Sequence, residues 1–212
     1  MHQCAEVRGG SAAYITPAVL DRFEQLVIIL LWSLMAWRMV DSPGVWGWLA
    51  LASEGAILAF VLIRRPAQGI ALNLKDWMLA FAATGAPLLV QPGVQPVTWL
   101  VPIGLALMLA GNLVSIWAKL VLRRSFGIAP ANRGLKLSGP YRLVRHPMYG
   151  GYLIMQVGIL ILMPSWFNLG LYLVAWGLQI RRLLAEESLL GEDARYVAYK
   201  HDVRYRLVPG LY

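Results

Sequence analysis

Cysteine, histidine and charged residues are all scarce in this chain of 212 residues. Cys4 is the only cysteine, so neither a disulfide nor a CxxC redox pair can form within the chain. The three histidines, His2, His146 and His201, are far apart in the sequence, which predicts that no metal is bound. Charged residues make up 14% of the chain, compared with roughly 25% in an average soluble domain. The composition therefore argues against a disulfide scaffold, a zinc protein and a large soluble domain.

Apolar residues dominate the chain, and its net charge is basic. Hydrophobic residues make up 58% of the sequence, the mean hydropathy is +0.58, and the formal net charge is +8. The basic residues flank apolar runs, which favours contact with anionic membrane lipids over binding of nucleic acid. We therefore predict an integral membrane protein.

Six apolar segments predict an all-α, polytopic membrane protein. A membrane-spanning helix needs about 20 residues, and shorter segments must tilt or extend into their flanks. The segments are 23–40, 46–63, 77–90, 97–122, 148–163 and 166–180. The third is short and contains Gly85 and Pro87, so we expect five to six transmembrane helices. Only "PSWFN" separates the last two segments, which predicts a helical hairpin.

The distribution of lysine and arginine predicts the orientation of the chain. These residues are concentrated in 64–75, in 119–145 and from residue 181 onward, whereas "DSPGVWG", "QPGVQP" and "PSWFN" contain none. Cytoplasmic loops of membrane proteins carry an excess of lysine and arginine. We therefore expect both termini and all the basic loops to be cytoplasmic.

The segment "LVRHPMYGGY", residues 143–152, places polar residues at the mouth of an apolar helix. Proline restricts the residue before it and favours the first helical turn, so Pro147 predicts a helix N-terminus here. The free N–H groups of such an end favour an anion, and Arg145 can bind a carboxylate through two hydrogen bonds. His146 can donate or accept a hydrogen bond, and Tyr149 offers a ring face or a hydroxyl. A purely structural role, with a proline cap and glycines that pack helices, fits the same residues.

Two further polar clusters follow this motif. Glu186 lies four residues after Arg182, so the two can form a surface ion pair, or Glu186 and Glu187 can hydrogen-bond a ribose or an amine. In "VRYRLVPGLY", Arg204 and Arg206 either contact anionic lipid or one of them turns inward to hold an anion.

The remaining polar residues also allow two interpretations each. Glu54, near the middle of the second segment, is unfavourable in a membrane unless it is paired or protonated. It lies either against a substrate cavity or in a structural hydrogen bond with Asn112. The tail tyrosines, including Tyr196 and Tyr199, form an aromatic belt at the membrane surface or cover a cofactor.

The motif "GPYRLVRHPMYGGY" resembles the R-H-P-x-Y-x-G signature of the isoprenylcysteine carboxyl methyltransferase family, which includes phospholipid methyltransferase-like relatives. In that family a membrane hairpin follows the signature, then an E-E-x-x-L stretch and a Tyr-x-x-Tyr tail. The corresponding residues here are 148–180, then Glu186, Glu187 and Leu190, then Tyr196 and Tyr199. One departure is "GEDAR", which replaces a Phe-Gly common in the family.

The resemblance covers residues 123–212, whereas residues 1–122 match the family only as membrane spans. It implies two parts, N-terminal transmembrane helices in 1–122 and a methyltransferase region in 123–212. The closing "VRYRLVPG" is similar to bacterial-type members. The resemblance therefore implies a bacterial inner membrane, with the cofactor site on the cytoplasmic side.

The activity that this resemblance implies is S-adenosylmethionine-dependent methyl transfer, with S-adenosylhomocysteine as the product. Carried over by position, the cofactor-binding residues are Arg145, His146, Pro147, Tyr149, Gly151, Glu186, Glu187 and Tyr199. The implied catalytic residues are Glu187 and Arg204.

A lipophilic molecule is the expected methyl acceptor, either an isoprenylcysteine-type carboxylate or another small lipophilic acid or thiol. The alternative within methyltransferases is a phospholipid head group that is methylated on nitrogen. The alternative outside them is a membrane reductase or a scaffold, although no G-x-G-x-x-G motif follows a strand to support a nicotinamide site.

Overall fold

The computed structural model describes residues 17–40, 44–63, 74–122, 136–191 and 193–212. Within these ranges the chain forms α-helices and short 3₁₀ helices but no β-strand, which confirms the predicted all-α class. The α-helices are α1 (Pro17–Val40), α2 (Val45–Ile63), α3 (Leu74–Gly85), α4 (Val101–Leu122), α5 (Pro147–Leu162), α6 (Trp166–Leu190) and α7 (Ala194–Asp202). The basic residues that predict the orientation fall partly in 64–73 and 123–135, outside the described residues.

All six predicted apolar segments are largely helical, but their lengths differ. Among the described residues, two stretches, Val45–Ile63 and Thr98–Leu122, are long and apolar enough to cross a membrane. The stretches Gln25–Val40, Met78–Leu89 and Pro147–Leu162 are apolar but shorter. The number of membrane spans therefore stays a prediction.

Polar and apolar side chains are distributed as expected for a protein in lipid. Leu30, Trp37 and Leu113 are large apolar side chains that are exposed by 68%, 67% and 68%. Glu54 and Gln156, in contrast, are buried in the interior. An apolar outside is unfavourable in water over a large area but is favourable against lipid chains.

Helices α4 and α5 form the most extensive helix pair among the described elements. A Cβ atom on Gly151 of α5 would lie 2.7 Å from the carbonyl oxygen of Gly111 and from the backbone nitrogen of Ser115 in α4. Gly158 approaches the backbone of Met108 in the same way. Small residues allow two helix backbones to come this close. The packing fixes the start of α5, where the R-H-P motif lies, against α4.

The predicted helical hairpin is present, since α5 ends at Leu162 and α6 begins at Trp166. Asn168 ties its turn to the segment that follows α3. The Asn168 side-chain nitrogen donates to the carbonyl oxygens of Met163 at 3.0 Å and Gln91 at 2.9 Å. Its side-chain oxygen accepts from the Gln91 N–H at 3.0 Å.

Beyond its apolar part, α6 continues to Leu190 and brings Glu186 and Glu187 to the end of the molecule where α5 begins. Helix α7 follows, with the Asp193 side chain accepting from the backbone N–H of Arg195 at its start. The tail, residues 203–212, then returns to α5. The backbone N–H groups of Arg145 and His146 donate to the carbonyl oxygens of Tyr205 and Arg206 at 2.9 and 2.8 Å.

One sequence interpretation is wrong, because Asn112 does not bond Glu54. The Asn112 side-chain nitrogen instead donates to the Ser53 hydroxyl at 2.7 Å. Neighbouring residues on a helix point about 100° apart, so Ser53 and Glu54 cannot both face Asn112. The Glu54 carboxylate oxygens have no hydrogen-bond partner in the part of the chain that the structure describes.

Candidate active site at the start of α5

Glu187 of α6 lies at the centre of a buried cluster of charged groups. Its Oε1 accepts from Arg145 Nε at 2.7 Å and lies 3.3 Å from His146 Nε2. Its Oε2 accepts from Arg206 Nε at 3.0 Å. Arg145, His146 and Glu187 are 6%, 7% and 7% exposed. The start of α5, the end of α6 and the tail thus meet at one carboxylate.

The protonation state of Glu187 follows from these contacts. Burial alone would raise the pKa of its carboxyl group, but hydrogen bonds from His146, Arg145 and Arg206 outweigh burial and hold this pKa well below its usual value. Glu187 is therefore a carboxylate at neutral pH. A carboxylate held by two guanidinium groups is a poor proton acceptor, so its position favours holding and orienting groups over general-base catalysis.

Arg145 joins the helix start to the tail. While its Nε binds Glu187, its Nη1 donates to the carbonyl oxygens of Val203 at 2.8 Å and Arg204 at 2.7 Å. Pro147 occupies the first position of α5, as its sequence context predicts. The carbonyl oxygen of Leu207 lies 2.9 Å from where a Cβ on Gly150 would be, so the tail packs closely on the first turn of α5.

A second polar group lies beside the first and is centred on Glu186. Tyr149 donates its hydroxyl to Glu186 Oε1 at 2.6 Å, and Arg182 Nε lies 3.3 Å from the same oxygen. The Arg182 guanidinium also lies over the Tyr149 ring, 5.5 Å from its centroid, and donates to the Thr84 hydroxyl at 3.1 Å. Of the two alternatives for Glu186, the ion pair with Arg182 is thus present, although it is largely buried and does not lie on the surface. The Glu186 side chain remains 22% exposed and can accept further hydrogen bonds.

The two tyrosines of the Tyr-x-x-Tyr pattern in α7, Tyr196 and Tyr199, are buried against this end of the molecule. Their ring centroids are 5.9 Å apart, and the Tyr199 hydroxyl donates to the carbonyl oxygen of Tyr141 at 2.7 Å. Burial raises the pKa of Tyr199 to about 12, so its phenol is neutral at physiological pH. The tyrosines hold α7 under the cluster.

The structure brings Arg145, His146, Tyr149, Glu186 and Glu187 together, all of which the sequence analysis named. Tyr199 lies next to them on α7, and Pro147 begins the helix that carries the motif. Gly151 faces α4 and is outside the cluster.

Arg204 and Arg206 differ in a way that the sequence left open. Arg204 has an exposed side chain and contributes only its carbonyl oxygen, whereas Arg206 reaches Glu187. Residues two apart in a regular extended segment point to the same side, but the tail bends from residue 206 onward, so the alternating pattern does not show which arginine faces inward. The predicted catalytic role of Arg204 therefore has no contact in the described structure to support it.

Comparisons with known proteins agree with the motif. Residues 99–193 match the family model described as phospholipid methyltransferase. Protein-S-isoprenylcysteine O-methyltransferase A of Arabidopsis thaliana is 24% identical over 160 residues, which cover 72% of this chain and 78% of that protein. The matched region 99–193 includes α4, the motif, the hairpin and both glutamates of the site. The resemblance stated from the motif is thus confirmed, because residues 99–193 are similar to the phospholipid methyltransferase family and the Arabidopsis relative is an isoprenylcysteine methyltransferase.

Proposed function

We propose that this chain is a membrane methyltransferase that uses S-adenosylmethionine to methylate the carboxylate of a lipophilic acceptor. The observation that carries the proposal is the buried charge cluster around Glu187, at the start of an apolar helix and under the tail. Such a position suits a reaction between a polar donor from the cytosol and an acceptor from the bilayer.

The residues around the cluster fit the polar parts of this cofactor. S-adenosylmethionine carries a carboxylate, an ammonium group, ribose hydroxyls and a sulfonium. The Glu186 and Arg206 side chains keep 22% and 27% exposure, so an acid and a guanidinium remain available to a ligand. The rings of Tyr149 and Tyr152, whose centroids are 6.3 Å apart, already lie beside the cations of Arg182 and Lys119, respectively.

The chemical contribution of the protein follows from where its groups lie. When bound, the cofactor supplies a methyl group that the sulfonium already activates, so the chain must mainly align the reactants and exclude water. The tail covers the first turn of α5 through Leu207 and pairs with Arg145 and His146 through the backbone. We infer that the tail closes the site against the cytosol.

The ionised, hydrogen-bonded carboxylate of Glu187 favours methyl transfer to oxygen over methyl transfer to nitrogen. An ammonium head group must lose a proton before methylation, whereas a carboxylate is already nucleophilic. The three donors on Glu187 make it a poor base for such a proton. The Arabidopsis relative is likewise named an O-methyltransferase of isoprenylcysteine.

We infer that the acceptor approaches the cluster laterally, between α5 and α6. Helix α5 packs closely on α4 but contacts α6 much less. The crevice between α5 and α6 is mainly apolar and reaches Tyr149; its lining residues are Tyr149, Leu153, Trp176, Gln179, Ile180, Leu183 and Leu207. Because the free volume of this crevice is only about 10 Å³, a prenyl or acyl chain would have to separate α5 from α6 for its head group to reach Tyr149.

The proposal is tested on protein purified into lipid nanodiscs. Calorimetry should show binding of S-adenosylhomocysteine and no binding of NADPH. With methyl-labelled S-adenosylmethionine, an N-acetylated S-farnesyl cysteine should acquire a base-labile methyl ester, and phosphatidylethanolamine should acquire no label. Binding of NADPH alone would overturn the methyltransferase assignment, and label on nitrogen would overturn the carboxylate acceptor. Arg195→Ala, which changes an exposed residue paired with Asp193, should give the same binding and labelling results as the wild type.

A further inference from the structure

Two oppositely charged side chains are buried between the helices and have no hydrogen-bond partner among the residues that the structure describes. Lys119 of α4 and Glu54 of α2 are both 0% exposed. In the described part of the chain, neither Lys119 Nζ nor the two carboxylate oxygens of Glu54 has a partner. The two groups interact electrostatically but form no direct ion pair. An unpaired charge is unfavourable in an apolar interior, so a ligand that offers Lys119 a hydrogen-bond acceptor would be favoured at this position.

The surroundings of Lys119 hold its ammonium group in place without using its N–H donors. Nζ lies 4.7 Å from the centroid of the Tyr152 ring and 5.4 Å from that of the Phe60 ring. Aromatic faces attract a cation but do not accept its hydrogen bonds as an oxygen does. Lys119 therefore keeps three donors for a ligand.

A single aromatic ring separates Lys119 from the candidate active site. The Tyr152 ring meets the Tyr149 ring nearly edge-on, at an interplanar angle of 80° and a centroid distance of 6.3 Å. Tyr149 in turn donates its hydroxyl to Glu186. Lys119 thus lies next to the site on its interior side, at the cluster end of α4.

We propose that Lys119 binds the anionic group of the methyl acceptor and thereby selects acids over amines. This inference rests on the proposed function. A carboxylate that enters from the bilayer would accept the free N–H groups of Lys119 close to Tyr149 and Glu186. Arg182, the other cation near Tyr149, is already held by Glu186 and Thr84. Glu54 offsets the charge of Lys119 from a distance and leaves its donors unoccupied.

The ammonium group also explains discrimination between acceptors. A carboxylate gains a charge-assisted hydrogen bond at Lys119, whereas the ammonium of an ethanolamine head group is repelled there. The same ammonium group gives no advantage to a neutral ester or amide of the same lipid. Selection by charge is thus located on α4, outside the cluster that we assign to the cofactor.

The test measures ligand affinity in nanodiscs and does not depend on turnover. The probes are an N-acetylated S-farnesyl cysteine, which carries the carboxylate, and its carboxamide, which has the same shape without the charge. Wild-type protein should bind the acid at least tenfold more tightly than the amide. Lys119→Met should lower affinity for the acid roughly tenfold to hundredfold. Lys119→Arg, which keeps the charge, should retain most of that affinity.

Two controls separate this inference from the proposed function. Lys200→Met removes an exposed lysine on α7 and should leave affinity for the acid unchanged. Affinity for S-adenosylhomocysteine should be the same in wild type and Lys119→Met. If wild-type protein does not bind S-adenosylhomocysteine, the proposed function is overturned. A preference of wild-type protein for the acid over the carboxamide would still identify the anion site.

Two results would overturn the proposed role of Lys119. Equal affinity of the wild type for acid and amide would overturn the anion site, and this comparison needs no variant. Equal affinity of wild type and folded Lys119→Met for the acid would do so as well. Lys119 would then be a structural residue held by the Tyr152 and Phe60 rings.

Discussion

Two groups of buried charges lie close together in this protein and differ in how they are satisfied. Around Glu187, each carboxylate oxygen has a donor, and Arg145 also binds carbonyl oxygens of the tail. Around Lys119 and Glu54, the charged atoms have no hydrogen-bond partner in the described part of the chain. The first group holds three segments of the protein together by itself. The second has no such partners among the described residues, which is why we propose it as the binding site of the acceptor.

The largest effect should come from removing the centre of the satisfied group. Glu187→Ala leaves Arg145 buried without its carboxylate and releases Arg206. Loss of one partner of a buried ion pair costs about 3–5 kcal/mol. We expect loss of S-adenosylhomocysteine binding and a lower unfolding temperature, with membrane insertion retained. Wild-type affinity in this variant would remove Glu187 from the site.

Low pH should selectively weaken the charge cluster around Glu187. Because the folded-state pKa of Glu187 lies well below its usual value, the unfolded chain binds more protons at low pH. The stabilisation is therefore fully present above the unfolded pKa, about 4.3, and is lost as the pH falls below it. Denaturation measured between about pH 6 and pH 3 should show this loss in wild type and a weaker dependence in Glu187→Gln. Parallel curves for the two proteins would contradict the assignment.

Disturbing the α4–α5 contact should change the distance between the two groups. A Cβ on Gly151 would lie 2.7 Å from backbone atoms of Gly111 and Ser115, so Gly151→Ala must separate the helices. Overpacking of this kind costs about 1–3 kcal/mol. Gly177→Ala is the matched control, because nothing lies within 4 Å of its added Cβ. Thermal unfolding in nanodiscs should be lowered only by the first substitution, and equal midpoints would contradict the close packing.

The smallest effect should distinguish the two tail arginines. Arg206→Ala removes a partly exposed donor to Glu187 and should cost about 1 kcal/mol. Arg204→Ala removes an exposed side chain and should change stability by less than about 0.5 kcal/mol. Affinity for S-adenosylhomocysteine should follow the same order. A larger effect of Arg204→Ala would mean that Arg204 turns inward when the cofactor binds.

Short-range sequence patterns were sufficient to predict part of the candidate site. Proline at the first helical position restricts the chain in a way that depends only on its neighbours, so the start of α5 at Pro147 was predictable. The i,i+4 spacing of Arg182 and Glu186 likewise follows from one helix. Glu187 lies about forty positions after Arg145 and His146 in the chain. The prediction that these residues share a site came from resemblance to a family motif.

Other features depend on contacts that no sequence pattern specifies. Glu54 and Asn112 are both polar residues in apolar helices, yet the rotation of α2 brings Ser53 to Asn112. Lys119 was counted only as one of the basic residues, although its position inside an apolar segment was a signal of burial. Arg206 faces Glu187 because of the way the tail crosses the start of α5.

By itself the sequence determined that this chain is apolar, helical and marked by a methyltransferase motif, because hydropathy, proline and short-range spacing act locally. Only the tertiary structure decided which charges are paired and which have no partner among the described residues. That choice depends on how helices rotate and approach one another, and side chains far apart in the chain, such as Lys119 and Tyr152, meet only after α4 and α5 have packed.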